Sequence, residues 1–103
     1  SNGDGSDHGW GSHHLVVGGA VRGKAFYGMA PPVSVTNTTA PEDQWHVGQG
    51  RLLPSTSVDQ YAATLAKWFG VENSEIGSIL PNIVHFGEAA GRPDYPTDLG
   101  FMV

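Results

Sequence analysis

Five side chains able to ligate a cation fall within eleven residues near the start of the chain: Asp4, Asp7, His8, His13 and His14. Imidazole nitrogen and carboxylate oxygen are good donors for zinc and manganese, and glycines at 5, 9 and 11 let the backbone turn tightly round an ion. The spacing permits a site without specifying one, and the same composition also suits a solvated loop that binds nothing. Asn2, Asp4, Ser6 and Asp7 have the oxygen alternation of a calcium loop, but the downstream Gly and bidentate Glu of such a loop are missing from their positions. Ser6, Ser12 and Asp7 crowd against three histidines as a Ser-His-Asp hydrolase would need. No G-x-S-x-G elbow occurs anywhere to present the hydroxyl.

Two further histidines lie apart from this cluster. His46 follows Trp45 in a stretch with no period, and His85, between Val84 and Phe86, reads as a histidine satisfied in the core or at its edge. Trp10, Tyr27 and Trp45 could form an aromatic platform for a carbohydrate, whereas Trp68 falls on the apolar face of a helix and is expected in the core.

The elements that would position these residues are short. Residues 1–9 are turn-forming and give nothing to bury. Leu15–Val17 is an apolar, β-branched run expected to be a strand that ends at Gly18-Gly19, and Ala25–Gly28 suits a second strand or an edge ribbon. Residues 29–49, with Pro31, Pro32 and Pro41, read as a long irregular excursion: a lid, a packing surface or a mobile segment. The clearest element is a helix over about 57–69. Ser57 and Gln60 have capping-box spacing, Val58, Tyr61, Ala62, Leu65, Trp68 and Phe69 recur at helical intervals, and Gly70 supplies the stop. A shorter helix over about 74–80 follows, with Asn73 as N-cap and Pro81 as terminator. Residues 87–103 show no period and read as an irregular tail.

Composition excludes several classes. A net charge of -5, with only five Lys and Arg, leaves no basic patch for nucleic acid. No apolar stretch approaches the length needed to span a membrane, so no membrane partner is expected. Without cysteine the chain has neither a disulfide staple nor thiolate chemistry.

Two separated blocks carry a family resemblance: SNGDGSDHGWGSHHLVVGGAVRGKAFYG, and GQGRLLPSTSVDQYAATLAKWFGV followed by ILPNI. Residues 1–86 resemble the C-terminal part of the exported bacterial proteins grouped as domain of unknown function 1501, within the alkaline phosphatase and sulfatase superfamily. The resemblance implies an α/β fold, in which this chain would be a C-terminal segment of an alkaline-phosphatase-like sheet, carrying one or two short strands, the two helices and long loops. It implies that a late metal-binding histidine corresponds to His8, or to His13 or His14 ahead of the LVVGG run. It gives Asp59 and Thr64, on the main helix, a structural role. The superfamily's Ser or Thr nucleophile and its early Asp ligands have no counterpart in this sequence.

The expectation that follows is a segment of a metal-dependent hydrolase. A divalent ion, zinc or manganese in preference to calcium, would be held by Asp4, Asp7, His8, His13 and His14. It would activate water against a small-molecule ester, either a phosphate or sulfate ester or a carboxylic ester or lactone. The alternative is a non-catalytic, truncated domain that self-associates or binds a ligand. Expected partners are a second copy of the chain or the missing N-terminal part of a parent protein. By resemblance alone, the expected location is periplasmic or secreted.

Overall fold

The computed structural model describes residue 3, residues 9–34 and residues 36–103. The chain divides into two compact units: Ser1–Leu15 with Met29–Ser55, and Val16–Gly28 with Thr56–Val103.

The second unit is built on helix α1, Val58–Phe69. Its start is fixed locally, because Ser57 Oγ accepts from the Asp59 N–H at 3.0 Å while Gln60 Oε1 accepts from the Ser57 N–H at 2.9 Å. This capping box satisfies donors that have no partner inside the helix. Gly70, at φ 109°, ends the helix by turning its N–H back to Ala66 O and Lys67 O. Helix α2, Asn73–Ile79, follows after a short turn, with Glu72 rather than Asn73 in the N-cap position. Leu80 then leaves the helical region, and Pro81 opens a 3-10 turn, Pro81–His85. The apolar centre is small: Ala63, Ile76 and Ile83 are buried, with Ala66, Val71, Leu80 and Phe86 packed against them.

The face that α1 buries differs from the one its periodicity predicts. Gln60, Ala63 and Thr64 are the buried positions, whereas Val58 and Phe69 are 76% and 81% exposed. Residues 96–99 run alongside the polar face of the helix and saturate it. Gln60 Nε2 donates to Pro96 O at 2.9 Å, and the Leu99 N–H donates to Thr64 Oγ1 at 2.9 Å. Lys67 Nζ reaches Thr97 Oγ1 at 3.2 Å. Residues 87–103, irregular apart from a 3-10 turn at Glu88–Ala90, are thus tied to the unit. Phe101 is buried, stacks on Tyr61 at 5.7 Å between centroids and meets Tyr27 edge-on at 5.8 Å. Around it, the Arg22 N–H donates to Phe101 O and the Val103 N–H to Ala20 O, each at 2.8 Å.

The α/β, alkaline-phosphatase-like sheet expected from the sequence is not the architecture of this chain. Among the described residues there is no strand, only isolated antiparallel bridges at Val21↔Met102, His46↔Leu52 and Gly87↔Arg92. A strand is defined by the ladder it shares with a neighbour, and the two apolar runs lack one. Leu15 and Val17 are each 95% exposed, and the Phe26 side chain stands fully in solvent. β-propensity describes how well a side chain fits a pleated, half-buried surface, so it cannot create a strand where that surface is absent.

In the first unit, Pro41–Trp45 forms a 3-10 turn with Pro41 at its start. The chain then reverses tightly: the Val47 N–H donates to Arg51 O at 2.9 Å and the Arg51 N–H returns to Gly48 O at 3.1 Å. Three consecutive residues, Gly48, Gln49 and Gly50, take positive φ to make this reversal. Glycine removes the steric cost at two of them.

Candidate metal-ligand loop and its supporting hub

His13 and His14, in the first unit, are exposed. Asp4, Asp7 and His8, the other expected ligands, lie outside the described residues, as do Ser6 and Asn2 of the calcium-loop and Ser-His-Asp readings. Among the described residues no group of three or more His, Cys, Asp or Glu side chains is placed to hold an ion. The two described histidines therefore supply at most part of a donor set.

The backbone leading to them is anchored at Gly11. A Cβ at this position would lie 2.9 Å from Pro54 Cβ, closer than side-chain packing allows, so only glycine permits this approach. Nearby, the Arg51 guanidinium lies over the Trp10 ring, 5.5 Å from its centroid, a cation–π contact.

Among the described residues of this unit the most highly connected polar side chain is Asp43, which no sequence motif marks. Its Oδ1 accepts from the hydroxyls of Ser34 and Thr36, the latter at 2.6 Å, and its Oδ2 accepts from the Thr38 hydroxyl and from the Thr38 N–H at 3.0 Å. Hydrogen bonds from Ser34, Thr36 and Thr38 to the ionised carboxylate outweigh the opposing effect of burial and hold Asp43 well below the usual carboxylate range. The legible signal was a hydroxyl at every second position, 34, 36 and 38, ahead of Pro-Glu-Asp. In an extended stretch that spacing puts three donors on one side.

His46, 9% exposed, braces the same loop. The Gly50 N–H donates to its Nε2 at 2.9 Å, which makes that nitrogen the acceptor. Nδ1 then carries the proton and donates to Thr36 O at 3.1 Å and Asn37 Oδ1 at 3.0 Å. Both ring nitrogens are committed to the loop, so His46 is a structural histidine rather than a ligand. Ser34, Asp43 and His46 share this loop without forming a nucleophile chain, because the imidazole bonds to neither of the other two side chains.

His85, expected in or beside the core, is instead exposed at the end of its 3-10 turn. The turn buries Ile83 and points its last residue outward, while Arg92 Nη1 donates to His85 O at 3.3 Å. Of the aromatic residues, Tyr27 is committed to Phe101 and donates through its hydroxyl to Arg22 O at 2.9 Å. Trp68, expected in the core, is 52% exposed. Among the described residues no helix is long and apolar enough to cross a membrane. No family model, curated protein or solved structure matches the chain.

Proposed function

We propose that this chain supplies the metal-ligand loop of a divalent-metal-dependent ester hydrolase, with Asp4, Asp7, His8, His13 and His14 as the donor pool. The observation that carries the reading is the density of donors: five within eleven residues, with His13 and His14 exposed on a backbone that Gly11 holds against Pro54. The donor chemistry, imidazole with carboxylate, suits zinc or manganese better than calcium, which prefers oxygen alone. When bound, such an ion polarises an ester oxygen and activates water.

The chain's own residues would bind and orient. Imidazoles at 13 and 14 would ligate through a ring nitrogen, and the carboxylates at 4 and 7 would lower the net charge at the site. The Asp43 and His46 hub ties together its own loop, from Thr36 to Gly50, without spending a ligand on it. A nucleophilic side chain is not assigned, so the attacking group in this reading is water, and the substrate is a small phosphate, sulfate or carboxylic ester. The resemblance of the two sequence blocks to the exported 1501 family supports this reaction class and a periplasmic or secreted location.

A second reading is favoured by a different observation. Val17, Phe26, Val58 and Phe69, all in one unit, leave large apolar side chains mostly uncovered. On this reading the chain is a non-catalytic module that works by association. Stoichiometric metal discriminates the two: elemental analysis of wild-type protein against a His8→Ala, His13→Ala variant, with ester and phosphate hydrolysis followed in parallel.

A further inference from the structure

The uncovered face of α1 has an internal order that its exposure alone does not reveal. Val58, Ala62, Leu65 and Phe69 follow one another at intervals of four, three and four, the spacing of a helix-pairing seam. Trp68, 52% exposed, and Tyr61 flank the seam on one side. Ala62 and Leu65, between the exposed ends, are half-buried. No charged residue lies in the stripe. Asp59 sits to its side, and Lys67 is on the opposite face, bonded to Thr97. The order of sizes matters most: the small residues, Val58 and Ala62, occupy the N-terminal half, and the large ones, Leu65 and Phe69, the C-terminal half.

We propose that this face pairs with the same face of a second copy of the chain, the two α1 helices running antiparallel about a two-fold axis between Ala63 and Thr64. That axis sets Phe69 of one copy against Val58 of the other, and Leu65 against Ala62, so every seam contact matches a large side chain with a small one. A parallel pair would set Phe69 on Phe69 and leave a gap at Ala62, so the sequence order favours the antiparallel arrangement. Isologous contacts of this kind close at two copies. The exposed parts of Val58, Trp68 and Phe69 offer on the order of 400 Å², about half of what each partner contributes to a standard interface. The dimer is therefore weak and reversible, at the low end of specific interfaces. With a net charge of -5 on each copy, added salt strengthens it by screening their repulsion.

The test is sedimentation equilibrium of the whole chain from about 10 μM to 1 mM, with helix content checked by circular dichroism. Wild type shifts from monomer to dimer across this range. Val58→Glu with Phe69→Glu, both at exposed positions, weakens association at least about tenfold at unchanged helicity, because like charges then face each other across the seam. Val58→Lys with Phe69→Glu associates more tightly than the Glu/Glu variant, though more weakly than wild type, because in the antiparallel register each lysine meets a glutamate. A wild type that stays monomeric to 1 mM overturns the proposal and leaves the face to a different partner. A Lys/Glu variant as weak as the Glu/Glu variant overturns the antiparallel register.

Discussion

Thr64 and Leu99 are joined by a hydrogen bond that makes the polar side of α1 its buried side: Thr64 Oγ1 accepts from the Leu99 N–H at 2.9 Å while donating to Gln60 O at 2.8 Å. A hydroxyl is the only threonine group that can do both, and at 2% exposure the Thr64 hydroxyl cannot turn to water instead. Thr64→Val keeps the shape and removes both roles, leaving a backbone N–H without its acceptor. It is expected to destabilise the protein by about 1 to 3 kcal/mol in denaturant unfolding, and Thr64→Ser by much less. Equal stability of all three proteins would remove this bond from the account.

Gly70 ends α1 at φ 109°, a region that L side chains rarely adopt. A Cβ there would meet no heavy atom, so the cost of Gly70→Ala is conformational alone. The expected loss is about 1 kcal/mol in thermal unfolding, while Gly77→Ala, inside α2 and also free of contact, is expected to be neutral or mildly stabilising.

Asp43 links stability to pH. Its folded-state pKa is depressed below the ordinary 3.8 because the charged carboxylate accepts hydrogen bonds from Ser34, Thr36 and Thr38. The unfolded chain therefore takes up this proton first. The contribution is fully present above about pH 4 and is lost progressively as the pH falls from there towards the folded value. In unfolding measured from pH 7 downwards, the gap between wild type and Asp43→Asn should hold constant to about pH 4 and then narrow. A gap that widens on acidification would contradict the assigned network.

His46 holds the Gly48–Gly50 reversal through one bond, from the Gly50 N–H to Nε2 at 2.9 Å. His46→Phe fills the same space without an acceptor. Amide exchange at Gly50 is then expected to accelerate by at least about tenfold, with much smaller changes along α1. Uniform acceleration throughout the chain would mean that the substitution acts on global stability instead.

What the sequence revealed and what it hid follow the range of the interactions involved. The start and stop of α1 were readable because Ser57, Gln60 and Gly70 act within a few residues of one another. The buried face of that helix was not, since periodicity marks an apolar stripe but cannot tell which neighbour arrives, and here residues 96–99 arrive on the polar side. Leu15–Val17 and Ala25–Gly28 have strand composition, yet a ladder depends on a partner that composition does not supply. Residues 87–103 carry no period because they act through backbone groups and a few scattered side chains, Arg92, Thr97 and Phe101, rather than through a repeating face. The Asp43 hub was encoded in the hydroxyls at 34, 36 and 38, but its acceptor lies five residues beyond the last of them, past a proline. His13 and His14 were readable as candidate ligands by type alone, and their exposure is consistent with that role without completing it.

The central claim, that the Asp4 to His14 segment holds a divalent ion, is tested most directly by elemental analysis of the purified chain after dialysis against trace metal. The account predicts about one equivalent of zinc or manganese per chain, lost in the His8→Ala, His13→Ala variant together with any hydrolysis of p-nitrophenyl phosphate or acetate. Wild-type protein that retains no metal, and a double variant indistinguishable from it, would contradict the claim and leave association through exposed apolar surface as the function to pursue.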